Sequence, residues 1–411
     1  VEAAAYRPYA LLAFGAVVCL GAPLGIRALG AHYASTAGVG LPWVNLHAHV
    51  QIFGFLGTLI VGISPHLLAR FTGRPLPART AWGSALLLGL ALVLRVIGTA
   101  VYRPWPALVA AALEATVFSV LTVRVWRTLD PPPLARLRRH LVSASAWLAL
   151  ATLAELALRV SAMVRGSDGP GPTDLHELHV LALFGGVLGW VLGVLARAGP
   201  MFVAGWTPPS GLAAAVPWLL GVGALLAAGG ERGHGVVARV GELVVLATAT
   251  AVVVGAGAFR RVAGALPLAG RTGDESRLFK LAIVSLVIAT GGALVNVAAA
   301  AADTSVAGLP DAVLHLLTVG TLGGIAVAMT FRLIPVLEGR PLPVPGARRV
   351  ALVMLAGAVI LRTAQIVSPL GGRPLGLVIM LSGVFAWVAF LCVALTLLLL
   401  AVSSATGDEG V

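Results

Sequence analysis

The sequence predicts an all-α, polytopic membrane protein with about twelve transmembrane helices in three pseudo-repeated four-helix sets. Three observations carry that expectation. Of 411 residues, 59% are hydrophobic and 11% charged, with a mean hydropathy of +0.98, so too little polar surface remains to cover a soluble domain. Apolar runs recur along the chain, each long enough at about 1.5 Å per residue to cross roughly 30 Å of hydrocarbon. A pattern in the second run also returns in the tenth.

The elements follow in order. Residues 8–29 lack a clear signal-cleavage site and read as a retained first span. Residues 43–69 open with His47 and His49 in "WVNLHAHVQIFGFLGTLI". The next three spans carry buried-charge candidates: 80–101 with Arg95, 105–127 with Glu114, and 140–164 with Glu155 and Arg159. The sixth, 175–198, begins "LHELHVLALFGG" and holds His176 and His179; the seventh, 211–229, has no histidine. The eighth, 235–258, carries Glu242, the ninth is 277–302, and the tenth, 311–333, opens with His315. Arg362 lies in the eleventh, 347–367, and the twelfth is 373–402.

Charge alternates between the connections. One side collects Arg70, Arg74, Arg79, Arg127, Arg136, Arg138 and Arg139, and later Arg260, Arg261, Arg271, Arg277, Lys280, Arg332, Arg340, Arg348 and Arg349. The other side shows mainly Arg27, Arg103, Arg165, Arg232 and Arg373. The positive-inside rule then puts both termini of this multi-pass protein in the cytoplasm. This explains the net charge of +12 without nucleic acid. Cys19 and Cys392 provide neither a disulfide framework nor a C-x-x-C-H motif, so any haem is held without thioether links.

The repeat is specific. His49 is followed by Gly54, Gly57 and the "GRPLP" at Gly73, and His315 by Gly320, Gly323 and the "GRPLP" at Gly339, at identical offsets of 5, 8 and 24 residues. "LVLRVIG" then places Arg95 where "VILRTAQ" places Arg362. Helix 6 is a weaker third copy. The chain thus reads as a single membrane domain with repeats at approximately 1–130, 131–260 and 261–411.

His47, His49, His176, His179 and His315 all enter at the start of repeat-related helices and share a depth. His47 and His49 are about 200° apart around their helix and cannot serve one point; His176 and His179, about 60° apart, share a face. The face under His47 carries Gly54 and Thr58, with room for a flat macrocycle. Histidines from facing helices, with small residues beside them, suit axial ligation of haem in a bundle. Arg95 and Arg362 need anionic partners, for which haem propionates or buried glutamates would serve. Surface roles are expected of His66 and His140 at one rim and of His32 and His234 in the opposite loops.

"HAHVQIFGF" with its downstream "TGRP", and "HLLTVGTLGGIAVAMTFR" with "GRPLP", resemble the two signature regions of the NnrS family. Those are twelve-helix bacterial inner-membrane proteins described as containing haem and copper and associated with the response to nitric oxide. "LHAHVQIFGFLGTLI" is also similar to the second helix of heme-copper oxidase subunit I, notably its cbb-type and nitric oxide reductase branches. There a histidine opening that helix ligates the low-spin haem, and it falls on His47. The repeat instead pairs His49 with His315, so the choice between His47 and His49 stays open. Helix 7 has no histidine and helix 10 only His315, so a complete oxygen-reducing centre, and with it a terminal oxidase, is not expected.

The resemblance implies a haem b protein, with His47 or His49 and His315 as ligands to one haem. His176 and His179 would hold a second haem or copper. Nitric oxide, a quinone or a redox subunit would be the partner beyond the lipid bilayer. An electron-relay or anchor subunit of a larger complex is one alternative. A twelve-helix transporter is the other, although such carriers divide six plus six rather than by fours.

Overall fold

The computed structural model describes residues 3–33, 40–73, 79–130, 132–233, 235–260, 273–367 and 373–405. His234, Arg74, Arg261 and Arg271 lie outside them. The described chain is helical, without strands, and contains twelve helices long and apolar enough to cross a membrane. They are α1 (Arg7–Tyr33), α2 (Leu41–Thr72), α3 (Trp82–Ala100), α4 (Pro104–Thr128), α5 (Ala135–Val164) and α6 (Pro172–Met201). The second half supplies α7 (Ser210–Gly230), α8 (Gly235–Gly255), α9 (Asp274–Ala301), α10 (Leu309–Glu338), α11 (Ala347–Ile366) and α12 (Gly376–Ser403). Every expected span is present.

Local chemistry sets the ends. Proline sits in the first turn where α1, α2, α4, α6 and α10 begin, a place where its missing N–H costs nothing. Gly73 and Gly339 close α2 and α10 in the left-handed region, at φ 68° and 66°. An L side chain is strained there, which explains why each "GRPLP" begins with glycine.

Three helices form the centre. In α2, α6 and α10 the most apolar stretch is 83%, 83% and 72% buried, against 33–50% in the other nine. These three are spaced four helices apart, and the rest wrap them in sequential pairs, with α12 returning against α1. Each central helix also widens into a π segment just past its first turns: Val50–Gly57, Ala182–Leu188 and Leu316–Gly323. The first and third are superposable in sequence at an offset of 266 (316 − 50). Thr58 Oγ1 donates to Phe53 O at 3.0 Å and Thr321 Oγ1 to Leu316 O at 3.0 Å, so hydroxyls take up carbonyls along the widened turns.

The π segments change which residues face where. A Cβ on Gly57 would stand 3.0 Å from Phe118 Cζ, and one on Gly323 would stand 3.0 Å from Phe390 Cζ. On Gly320 it would meet Ser285 Oγ at 2.1 Å. These glycines therefore bring helices into contact. The expected macrocycle face under His47 is likewise corrected: Gly54 sits against Val50, Ala16 and Leu92, while Thr58 turns to its own helix. The wider π turns, closed by i→i+5 bonds, rotate the residues after His49 away from their α-helical positions.

Candidate functional site

Two polar clusters lie at the end of the bundle where α2, α6 and α10 begin, on opposite sides of α2. The 200° between His47 and His49 is what separates them.

On one side His47 and His315 line one narrow cavity with Gln51 and Arg362, bordered by Gly25, Gly320 and Gly383. Their imidazoles are oriented alike. His47 Nδ1 lies 2.7 Å from Gly21 O, and because a carbonyl only accepts, this nitrogen carries the proton. His315 Nδ1 lies 2.9 Å from both Asp311 O and the Asp311 carboxylate, with the same consequence. Each ring is thus left with Nε2 as its lone-pair nitrogen, the arrangement that second-shell acceptors give a metal-binding histidine. Gly25 is required for it, since a Cβ there would stand 2.5 Å from His47 Cε1. Behind the rings Arg362 Nη1 donates to Asp311 Oδ2 (2.9 Å) and Gln365 Oε1 (2.8 Å). Tyr33 donates to Asp311 Oδ2 at 3.1 Å, and Gln365 Nε2 donates to Gly308 O at 3.0 Å.

On the other side His49 is buried, stacked on Phe53 at 4.7 Å, with the His179 ring 5.7 Å away. His49 Nε2 donates to Glu114 Oε1 at 3.0 Å. Arg95 lies between two carboxylates: Nε donates to Glu114 Oε1 at 3.0 Å, Nη1 to Glu155 Oε1 at 2.6 Å and Nη2 to Glu155 Oε2 at 2.9 Å, with a further close contact from Nη2 to Glu114 Oε2. Arg159 Nε adds a bond to Glu155 Oε1 at 2.8 Å. Donor atoms of His49, Glu114 and Glu155 fall within 4.8 Å of one another. A cavity of about 350 Å³ opens beside them, lined by His49, Arg95, Glu155, Arg159 and His179.

The remaining candidates sit elsewhere. His176, one turn before His179, is exposed. Glu242 is buried and meets Arg239 at 3.3 Å on its own helix. His66 and His140, expected at the surface, are both buried: His140 Nε2 donates to Ala213 O, and His66 lies edge-on to Tyr6. Arg95 takes glutamates rather than waiting for an external anion. The residues that sequence reasoning missed are Asp311, Tyr33 and Gln365. Asp311 had a signal: Asp and His at i and i+4, in the first turns of a helix, can meet.

A model of the NnrS protein family matches residues 1–403. The chain belongs to the NnrS family. No curated protein matches its sequence. Among solved structures, a heme-copper terminal oxidase dimer determined by cryo-electron microscopy is similar at a TM-score of 0.66 and 13% identity, covering 96% of this chain and 83% of that one. At that identity the likeness concerns the fold. This NnrS chain is therefore a multi-pass membrane protein on a heme-copper-oxidase-like helical framework, with five of its nine histidines, His47, His49, His176, His179 and His315, at one end of three central helices.

Proposed function

We propose that the chain is a haem b-containing redox protein of a bacterial inner membrane, with the iron held between His47 and His315. One observation carries the reading: two half-buried imidazoles from α2 and α10 line one cavity, each anchored through Nδ1, which leaves Nε2 as the lone-pair nitrogen. That donor set suits haem iron. The cavity measures only about 40 Å³, and Gly383 of α12 packs closely on Ile26 of α1 beside it. A macrocycle would enter by parting those two helices. When bound, haem supplies one-electron chemistry. The chain's own residues do the rest: Gly21 O and Asp311 fix the ring orientations, and Arg362, lining the cavity, offers charge to the macrocycle's carboxylates. Electron transfer or nitric oxide metabolism is the activity this would serve. Both termini are assigned to the cytoplasm, supported by the arginine-rich connections at the opposite end.

Copper is a second reading for the His49, Glu114 and Glu155 cluster, with the His179 ring 5.7 Å from His49, because imidazoles suit it. Arg95 and Arg159 already balance both carboxylates, so copper would have to displace a guanidinium. Haem and metal content per chain, with optical and paramagnetic spectra, test both readings. One haem per chain, with a Soret band and α/β bands that sharpen on reduction, is expected. A colourless, full-length preparation from haem-replete cells would end the proposal.

A further inference from the structure

Two further cavities lie between α2, α6 and α10, away from both histidine clusters, and share lining residues. The first, about 80 Å³, is walled by Leu59, Ile60, Val191, Val194, Leu322 and Ile325 among others, almost without polar atoms. Ile63, Leu67 and Met329 continue into a chamber of about 90 Å³ at the opposite end of the bundle. The wall there changes character, adding His66, Arg70 and Arg197. Arg70 and Arg197 are exposed at its mouth, and the Arg197 guanidinium lies 5.6 Å from the centre of the Phe71 ring. His66 is 8% exposed, and its Nε2 has no hydrogen-bond partner. The neighbouring acid, Glu338, is occupied by Arg7 at 2.8 Å and Tyr6 at 2.5 Å. The chamber therefore combines two guanidiniums and an unsatisfied buried imidazole at one end with a hydrocarbon-like shaft at the other.

We propose that this shaft is a binding site for an acidic membrane phospholipid. The phosphate lies against Arg70, Arg197 and His66, and the glycerol-proximal part of one acyl chain enters between the three central helices. Free phosphate would account for the basic mouth but not for the apolar shaft joined to it; a neutral lipid would account for the shaft but not for the charges. Guanidiniums favour phosphate through paired hydrogen bonds, and an imidazole nitrogen buried without a partner gains one. The site is independent of the haem reading, because none of its residues belongs to either histidine cluster.

The test uses the full chain purified from membranes and carried through extensive detergent exchange. Native mass spectrometry is expected to find an acidic phospholipid retained on the wild type. The R70Q/R197Q variant should retain it about tenfold less, and R70K/R197K should keep most of it. After delipidation, phosphatidylglycerol should raise the melting temperature of the wild type, while phosphatidylcholine and inorganic phosphate should not. Equal retention by the glutamine variant would overturn the proposal. So would an equal shift with phosphatidylcholine, a shift reproduced by phosphate alone, or no retained lipid. The headgroup comparison on wild-type protein keeps the test decisive even if the double variant folds poorly.

Discussion

His47 and His49 stand two residues apart on one helix, yet their surroundings solve opposite problems. Around His49 every charge has a partner: Glu114 and Glu155 are matched by Arg95 and Arg159, and His49 Nε2–H donates a hydrogen bond to Glu114. Around His47 the bonds are directional but incomplete. Nδ1 is committed on both rings while Nε2 is left over, and Arg362 uses Nη1 for Asp311 and Gln365 while also lining the cavity. A closed network fixes helices to one another, whereas an open one waits for a ligand. The comparison teaches that a histidine's availability depends less on its burial than on which nitrogen its neighbours leave exposed.

The largest effect should come from breaking the closed network. Arg95→Ala would leave Glu155 with Arg159 alone and Glu114 with no cation but its bond from His49, and a broken buried pair of this kind costs about 3–5 kcal/mol. Arg362→Ala removes one partner from Asp311, which keeps His315 and Tyr33, so about 1–3 kcal/mol is expected. Unfolding of the two variants in detergent, followed by circular dichroism, measures the gap; equal losses would mean that the two clusters are not built differently.

The second effect separates the clusters by cofactor. His47→Ala and His315→Ala should each abolish the Soret absorbance of the purified chain, and His49→Ala should leave it in place. Haem retained in His47→Ala and lost in His49→Ala would reverse the assignment. Gly25 and Gly54 sharpen the same division. A Cβ at Gly25 stands 2.5 Å from the His47 ring, but at Gly54 the nearest atom is 3.5 Å away, an ordinary contact. Gly25→Ala should therefore lower haem per chain several-fold while Gly54→Ala leaves it near the wild-type level, as measured by pyridine haemochrome against protein concentration.

Much of this architecture was legible in the sequence. Hydropathy located the spans, because crossing hydrocarbon requires length and apolarity and little else. The matched offsets after His49 and His315 also have a structural counterpart in the π segments, which begin at the next residue in both helices. The helical angle between His47 and His49 correctly separated two sides of α2. What failed was the extrapolation past that point: Gly54 was placed under His47 by an α-helical period that the π segment interrupts. Partners were legible only in part. Buried glutamates were expected to serve Arg95, and Glu114 and Glu155 do, whereas Tyr33 and Gln365 lie 332 residues apart and a single chain gives no signal for that pairing. His66 was expected at the rim with a surface role, but it is buried there, with Tyr6 edge-on to the ring.

The smallest expected effect concerns Arg362 alone. Its guanidinium is buried, lines the cavity of His47 and His315 and offsets the Asp311 carboxylate that would otherwise act alone on whatever iron those rings hold. Ferric haem carries one more positive charge than ferrous haem, so the guanidinium's charge favours the reduced form. Arg362→Gln removes the charge but keeps an amide that can still donate to Asp311, and it should lower the midpoint potential; a tenfold change in the redox equilibrium corresponds to about 59 mV for one electron. Arg362→Lys keeps the charge and should stay closer to the wild-type potential. A spectroelectrochemical titration distinguishes charge from packing: if lysine and glutamine shift the potential alike, the guanidinium acts through its hydrogen bonds to Asp311 rather than through its field at the iron.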